Sequence, residues 1–302
     1  MNAPPPLRGR RIDIGGRCLR VVAAGPPPGA APTVLLEAGA FGFSADWGVV
    51  QDRLAALGVR SLAYDRAGLG LSDPALDPRD GEAILADLEA LLAATGEPAP
   101  YVLVGHSMAG LRVQLAAARH PDWVAGVVLV DASTPDATQA PIGRRYLDAF
   151  VVASRLFAGL SRLGVLKLVA RFGDRIGLDG EARVEKLRLF PQTAHNRTAA
   201  AEVDLWMTTA AQARSAGGYA PATPIAIVTA GAGPDNHPVK AMMTAPAAAA
   251  TQSYVRHVPG ARHATLLGAS YADEIVQAVA FVLQAAKTKA AGSPRRPSKN
   301  SN

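Results

Sequence analysis

Residues 101–110 read YVLVGHSMAG, the most informative part of the sequence for the fold of this chain. The β-favouring residues Tyr101–Val104 predict a strand, and a helical pattern begins at Ala109. Between them, GHSMAG has the form of a tight strand-to-helix turn that exposes the hydroxyl of Ser107. Because a hydroxyl attacks well only when a base removes its proton, it must project where a base and a substrate can reach it. The sequence therefore predicts that Ser107 is a nucleophile.

Small residues surround Ser107 in this turn. Gly105 removes side-chain bulk where the backbone is strained, and Ala109 and Gly110 allow the helix to pack close to the strand. The amide of Met108 is expected at the helix N-terminus, where backbone N–H groups lack intrahelical partners. We therefore expect this amide to bind a developing oxyanion.

The elements on both sides of the turn alternate between strand and helix. Apolar strands without polar alternation, joined by helices, are typical of a parallel sheet covered on both faces. The alternation stops after Asp131, because residues 135–216 have helical patterning and no strand. We predict an α/β fold with a mostly parallel central sheet, whose core comprises residues 1–134 and 217–288. Residues 135–216 are predicted to form a helical lid over the carboxyl ends of the strands.

The composition favours a protein without a nucleic-acid partner. Of the formal net charge of +6, five positive charges lie after Ala286, where no acidic residue occurs: Lys287, Lys289, Arg295, Arg296 and Lys299. Residues 289–302 are predicted to be a disordered basic tail. Cys18 is the single cysteine, so an intrachain disulfide or a thiolate metal cluster is impossible. The N-terminal residues include no apolar signal region and no run of about 18 apolar residues occurs, so we expect a cytoplasmic protein without stable membrane insertion.

Five motifs, in chain order, resemble those of lidded serine hydrolases of the α/β-hydrolase superfamily. They are LEAGAFG at 36–42, AYDRAGLGLSD at 63–73, the serine turn, LVDAS at 129–133 and PGARH at 259–263. The resemblance covers roughly residues 10–134 and 220–285, and the predicted lid matches nothing specific. It implies a serine, an acid and a histidine in that chain order, an oxyanion hole shared between the serine turn and the loop after the third strand, and no cofactor.

The base is selected by elimination among six histidines. His263 follows the last strand on a loop at the carboxyl edge of the sheet, where a base can reach Ser107. The others fit structural positions in the serine turn, at a helix end, on the lid surface, after a turn or within a strand: His106, His120, His195, His237 and His257. We therefore predict that His263 is the base.

Two carboxylates compete to orient the imidazole and stabilise the imidazolium. Asp235 follows a strand and precedes His263 by 28 residues, which resembles the usual acid position of the family. Asp131 ends the preceding strand, where some members of the superfamily have the acid. Because the loop at 231–235 is long and glycine-rich, we prefer Asp235 and keep Asp131 as the alternative.

The loop at 39–42, GAFG, has little side-chain bulk and exposes its backbone. We expect the amide of Ala40, or less favourably that of Phe41, to be the second oxyanion donor. In the DRAGLG motif, Asp65 and Arg66 are interpreted as an internal brace of the fold.

These residues predict a cofactor-independent serine hydrolase that cleaves a carboxylic ester with an apolar acyl or alcohol part. The same triad also serves lactone, thioester and carbon–carbon hydrolysis and cofactor-free perhydrolysis, and a non-catalytic small-molecule binding protein would keep the same fold. The apolar and basic segment Tyr146–Phe172 is expected mainly to pack in the core. Its remaining surface suits either an acyl pocket or a basic amphipathic helix on a membrane. Gly159 and Gly164 argue against one long helix.

Overall fold

The central sheet has eight strands, and their order confirms the predicted α/β class. The computed structural model describes residues 7–29, 31–75, 78–169, 174–233 and 238–292. The strands are β1 (Arg10–Asp13), β2 (Cys18–Ala24), β3 (Thr33–Glu37), β4 (Ser61–Tyr64), β5 (Tyr101–His106), β6 (Val124–Val130), β7 (Ile225–Ala230) and β8 (Ser253–Val258). Their order is β1-β2-β4-β3-β5-β6-β7-β8. Strands β1 and β2 pair antiparallel, as do β2 and β4, and the remaining pairs are parallel.

Helices cover both faces of the sheet because side chains alternate across each strand. On one face, Val102 and Val104 of β5 belong to the apolar layer under α1 (Gly48–Ala56) and α11 (Ala272–Gly292). On the other face, Leu103 lies in the layer with the helices α2 (Gly81–Thr95), α3 (Ala109–Arg119) and α9 (Trp206–Ala216). The near-continuous apolar strands of the sequence are therefore buried on both sides.

The described part of the chain between β6 and β7 is helical. Its elements are α4 (Pro135–Gln139), α5 (Pro141–Arg162), α6 (Val165–Val169), α7 (Gly180–Leu189), α8 (Thr193–Asp204) and α9. The expectation that Gly159 and Gly164 prevent one long helix holds at Gly164 only. Gly159 lies inside the 22-residue α5, with open space around it, whereas Gly164 has φ +74° just after the helix.

Two features of the C-terminal part were not anticipated. Helix α10 (Pro238–Ala249) is rich in alanine and contains Pro246. Its sequence therefore has no apolar periodicity that predicts a helix. Helix α11 extends to Gly292, so residues 289–292 of the predicted disordered tail are helical. The rest of that tail lies outside the described residues, as do Asp235 and His237.

Candidate active site

Ser107 lies at the sharp turn between β5 and α3. Its φ of +58° is left-handed, a conformation that is costly for residues with a side chain. Gly105 permits the tight return of the helix, because a Cβ there would lie 2.8 Å from Val113 Cγ2. The amide of Ser107 donates to the carbonyl of Val130 (3.1 Å), and Ser133 donates its amide to the Ser107 carbonyl (2.9 Å). The end of β6 therefore fixes the serine backbone.

Asp131 and His263 form an acid–base pair at the carboxyl edge of the sheet. Oδ2 of Asp131 and Nδ1 of His263 are 2.7 Å apart, and Oδ1 accepts the amide of Ala230 at 3.2 Å. Asp131 has φ +42°, and its own amide donates to the Val228 carbonyl at 2.7 Å. Since Nδ1 of His263 faces the carboxylate, Nε2 is the nitrogen left for a substrate or a nucleophile.

Of the two candidate acids, Asp131, which the sequence analysis kept as the alternative, has its carboxylate on the His263 ring. Asp235 itself lies outside the described residues. The decisive signal is the register in which His106 pairs with Val130, so that the residue after β6 lies beside Ser107.

Opposing influences act on the charge of Asp131. Burial alone would raise its pKa, but the hydrogen bond and charge of His263, followed by the Ala230 amide, hold the pKa of Asp131 below its ordinary value. The carboxylate therefore remains ionised near neutral pH, and it can accept a hydrogen bond from Nδ1 of His263.

His106 is structural, in line with its interpretation from the sequence. Its Nε2 lies 3.2 Å from the carbonyl oxygen of His263, and the two rings are 4.5 Å apart. Burial, followed by the nearby His263, lowers the pKa of His106 to about 3. A neutral His106 that donates through Nε2 therefore holds the backbone of the His263 loop.

The loop after β3 lies directly against Ser107. A Cβ on Gly39 would lie 2.8 Å from the Cβ of Ser107, so this approach requires glycine. Ala40 lines a cavity that Ser107 and His263 also line. Among the hydrogen bonds of the described residues, neither the Ala40 amide nor the Met108 amide is a donor.

Buried charged side chains also stabilise the loop after β3. Arg66 donates to the carbonyls of Ala38 (2.7 Å) and Gly39 (3.0 Å). It also contacts Glu37 at 3.0 Å and Glu202 of α8 at 2.8 Å. Asp65 accepts the amides of Ser44 and Leu71, both at 2.9 Å. The interpretation of Asp65 and Arg66 as an internal brace is confirmed.

His195 is also part of this support, and its predicted surface position is wrong. It is 2% exposed, between the rings of Phe43 and Phe190. Its Nδ1 accepts the amide of Gly70, and its Nε2 lies 3.2 Å from the carbonyl oxygen of Phe41. Burial, followed by the positive charge of Lys186, lowers the pKa of His195 to about 3. The neutral ring therefore bridges the two loops, and it fixes Phe41, which has a left-handed φ of +58°.

Two adjoining cavities share Ser107, Tyr146, Trp206 and His263. The cavity on the Asp131 side has a volume of about 270 Å³. Its apolar lining comprises Ala137, Leu147, Trp206, Val239 and Met243. The other measures about 170 Å³ and reaches Ala40 and Phe150. A cavity of about 370 Å³ near Arg214 and Tyr219 is larger, but it contains none of the residues of the acid–base pair or the serine turn.

The sequence around this site matches a known family. Residues 32–151 match a family model described as alpha/beta hydrolase fold. Over these residues the chain has the α/β-hydrolase fold that the family model describes. An AB hydrolase superfamily protein of Gibberella zeae is 30% identical over 172 residues, which are 55% of this chain and 50% of that protein. Esterase PIR7B of Oryza sativa subsp. japonica is 41% identical over 93 residues, which are 30% and 34% of the two chains. The chain thus spans half or less of the length of these relatives.

Solved structures extend the similarity to nearly the whole fold. A mutant epoxide hydrolase of Vigna radiata has a TM-score of 0.71 and 15% identity, and covers 92% of this chain and 99% of its own. The enol-lactonase of Burkholderia xenovorans LB400 has a TM-score of 0.63 and 20% identity, and covers 91% of this chain and 100% of its own. At these identities the similarity concerns the fold alone.

Proposed function

We propose that this protein is a serine hydrolase that cleaves carboxylic esters with an apolar acyl or alcohol part. The observation that carries the proposal is the 2.7 Å contact between His263 Nδ1 and Asp131 Oδ2, at the site where Ser107 projects from a left-handed turn. A carboxylate on Nδ1 selects the tautomer in which Nε2 can accept a proton. Asp131 therefore takes the orienting role that the sequence had given to Asp235.

In the proposed mechanism, Ser107 Oγ attacks the ester carbonyl carbon while its proton passes to His263 Nε2. The carbonyl oxygen becomes an oxyanion, to which the amides of Ala40 and Met108 donate. Loss of one such donor typically costs about 3–4 kcal/mol in the transition state. His263 then gives the proton to the leaving alcohol, and the acyl group stays on Ser107.

Water completes the reaction. His263 removes a proton from the attacking water, the acyl–oxygen bond to Ser107 breaks, and the serine regains its proton from His263. The carboxylic acid leaves, and the enzyme returns to its starting state. Each step uses side chains and amides of this chain.

The cavity of about 270 Å³ next to Ser107 and Asp131 has a lining that supports an apolar substrate. Leu147, Trp206 and Met243 line the space next to Ser107, together with the hydroxyl-bearing side chains of Ser133 and Thr138. Burial of an alkyl chain there contributes about 0.8 kcal/mol for each methylene removed from water. Within the range that the cavity accommodates, we expect KM to fall as the acyl chain lengthens.

A fluorophosphonate probe tests the nucleophile, and p-nitrophenyl esters of graded chain length test the substrate class. We expect one covalent adduct by intact-protein mass spectrometry, loss of that adduct in Ser107→Ala, and ester turnover that depends on chain length. Lactones and thioesters with the same acyl groups are tested in the same assay. Their turnover, compared with that of the esters, shows which reaction of the triad the enzyme favours.

Ser133→Ala is the matched control, because Ser133 lines the same cavity and also has a hydroxyl group. This variant should keep the adduct. An adduct that persists in Ser107→Ala would mean that another residue is the nucleophile, and an unlabelled, inactive parent protein would contradict the hydrolase proposal.

A further inference from the structure

Helix α5 has an apolar surface on two opposite sides. Its buried side includes Leu147 and Ala158. On the other side, large apolar residues are between 43% and 67% exposed, and we call them the outer stripe: Ile142, Tyr146, Val152, Leu156 and Leu160. With 3.6 residues per turn, the stripe falls within an arc of about 120°. Leu163 and Leu168 continue the exposed apolar surface beyond the helix, at 77% and 78% exposure.

Positive charge accompanies this stripe. Between Pro141 and Leu168 the only acidic residue is Asp148, whereas five basic residues occur and all are exposed: Arg144, Arg145, Arg155, Arg162 and Lys167. Of these, Arg155 pairs with Asp204 of α8 at 2.9 Å. The segment therefore has a net charge of +4, from five basic residues and one acidic residue.

We propose that the outer stripe docks onto the surface of a membrane that contains anionic lipid. Arginine and lysine stems can cover apolar surface while their charged ends reach lipid head groups. A second copy of the chain is a poorer occupant, because a two-fold interface would place the same net positive segment against itself. Among the described residues no helix is long and apolar enough to cross a membrane, so α5 lies along the surface.

Tyr146 connects this surface to the candidate active site. It belongs to the outer stripe, and it also lines both cavities next to Ser107. An apolar substrate dissolved in the lipid would meet the cavities at Tyr146. The proposed docking surface does not depend on the proposed hydrolase reaction. Membrane binding is therefore measured separately from ester turnover.

Sedimentation with lipid vesicles tests the proposal on the full chain. Vesicles of phosphatidylcholine alone are compared with vesicles that contain equal parts of phosphatidylcholine and phosphatidylglycerol. We expect binding to the anionic vesicles that weakens with added salt. Neutralisation of Arg162 and Lys167 to glutamine should weaken it about fivefold for each charge.

Leu156→Glu tests the apolar contribution, and Leu57→Glu is its matched control. Leu57 is 65% exposed at the end of α1, and Leu156 is 67% exposed. Leu156→Glu should lower vesicle affinity at least about tenfold because it removes an inserted leucine, whereas Leu57→Glu should not. Circular dichroism checks that both variants fold.

Three results would overturn the proposal: no sedimentation of the parent with anionic vesicles, equal salt-insensitive binding to both vesicles, or equal losses in Leu156→Glu and Leu57→Glu. A parent dimer that Leu156→Glu dissociates, without vesicle binding, would assign the stripe to self-association and would also refute lipid docking.

Discussion

Glu202 is expected to be among the most costly side chains to neutralise in this fold. Arg66 is buried, and it donates through Nε to Glu202 Oε1 at 2.9 Å and through Nη2 to Oε2 at 2.8 Å. Burial would lower the pKa of Arg66, but Glu202 and then Glu37 raise it above its ordinary value, so the guanidinium stays charged. Glu37 also pairs with Arg112 at 2.9 Å. In Glu202→Gln, one carboxylate would therefore face two buried cations.

Breaking a buried pair by removing one partner costs about 3–5 kcal/mol, and we expect Glu202→Gln to lower the free energy of unfolding by that amount. Urea unfolding followed by circular dichroism measures it, provided that the m-value is unchanged. Asp204→Asn is the control on the same helix, because it breaks the exposed pair with Arg155. Exposed pairs contribute at most about 1 kcal/mol. Equal losses in the two variants would refute the reasoning.

Two other variants follow from the site. Asp131→Asn should lower kcat by about 10⁴, as expected when an orienting carboxylate is neutralised, whereas Asp235→Asn should change ester turnover little; the reverse order in steady-state kinetics would restore Asp235 as the acid. For His195, the folded pKa of about 3 lies below the ordinary unfolded value near 6.5. Between these values only the unfolded state binds this proton, so His195 should contribute a fall in stability of up to about 1.4 kcal/mol per pH unit on acidification, and His106, whose folded pKa is also about 3, should contribute the same. His195→Gln can still donate and accept, and it should flatten this pH dependence in unfolding titrations; an unchanged slope would mean that His195 is not the titrating group.

Features that depend on neighbouring residues along the chain could be predicted from the sequence. The strands β3, β5, β6 and β7 are mainly apolar runs, and the serine turn is marked by glycine and alanine on either side of Ser107. His263 could be found because it follows the last strand, whose carboxyl end is at the same edge as that of β5.

Features that depend on strand pairing or on distant packing could not be predicted in the same way. Asp131 is beside Ser107 because β6 pairs with β5 in one particular register, which the spacing along the chain does not express. The burial of His195 depends on Phe43, Phe190 and the carbonyl of Phe41, which come from separate segments. No local pattern distinguishes such a histidine from a surface residue of a helix.

The three left-handed backbones of the site have a consequence for engineering this protein. Among the described residues, those other than glycine with positive φ are Phe41, Ser107 and Asp131. Ser107 and Asp131 directly follow β5 and β6, and Phe41 lies in the loop after the adjacent strand β3. Each such conformation costs on the order of 1–3 kcal/mol. A selection for heat resistance alone would therefore favour glycine at these positions and would remove the serine and the carboxylate in the process. Libraries for thermostability should keep these three positions fixed and vary the helices that flank the sheet.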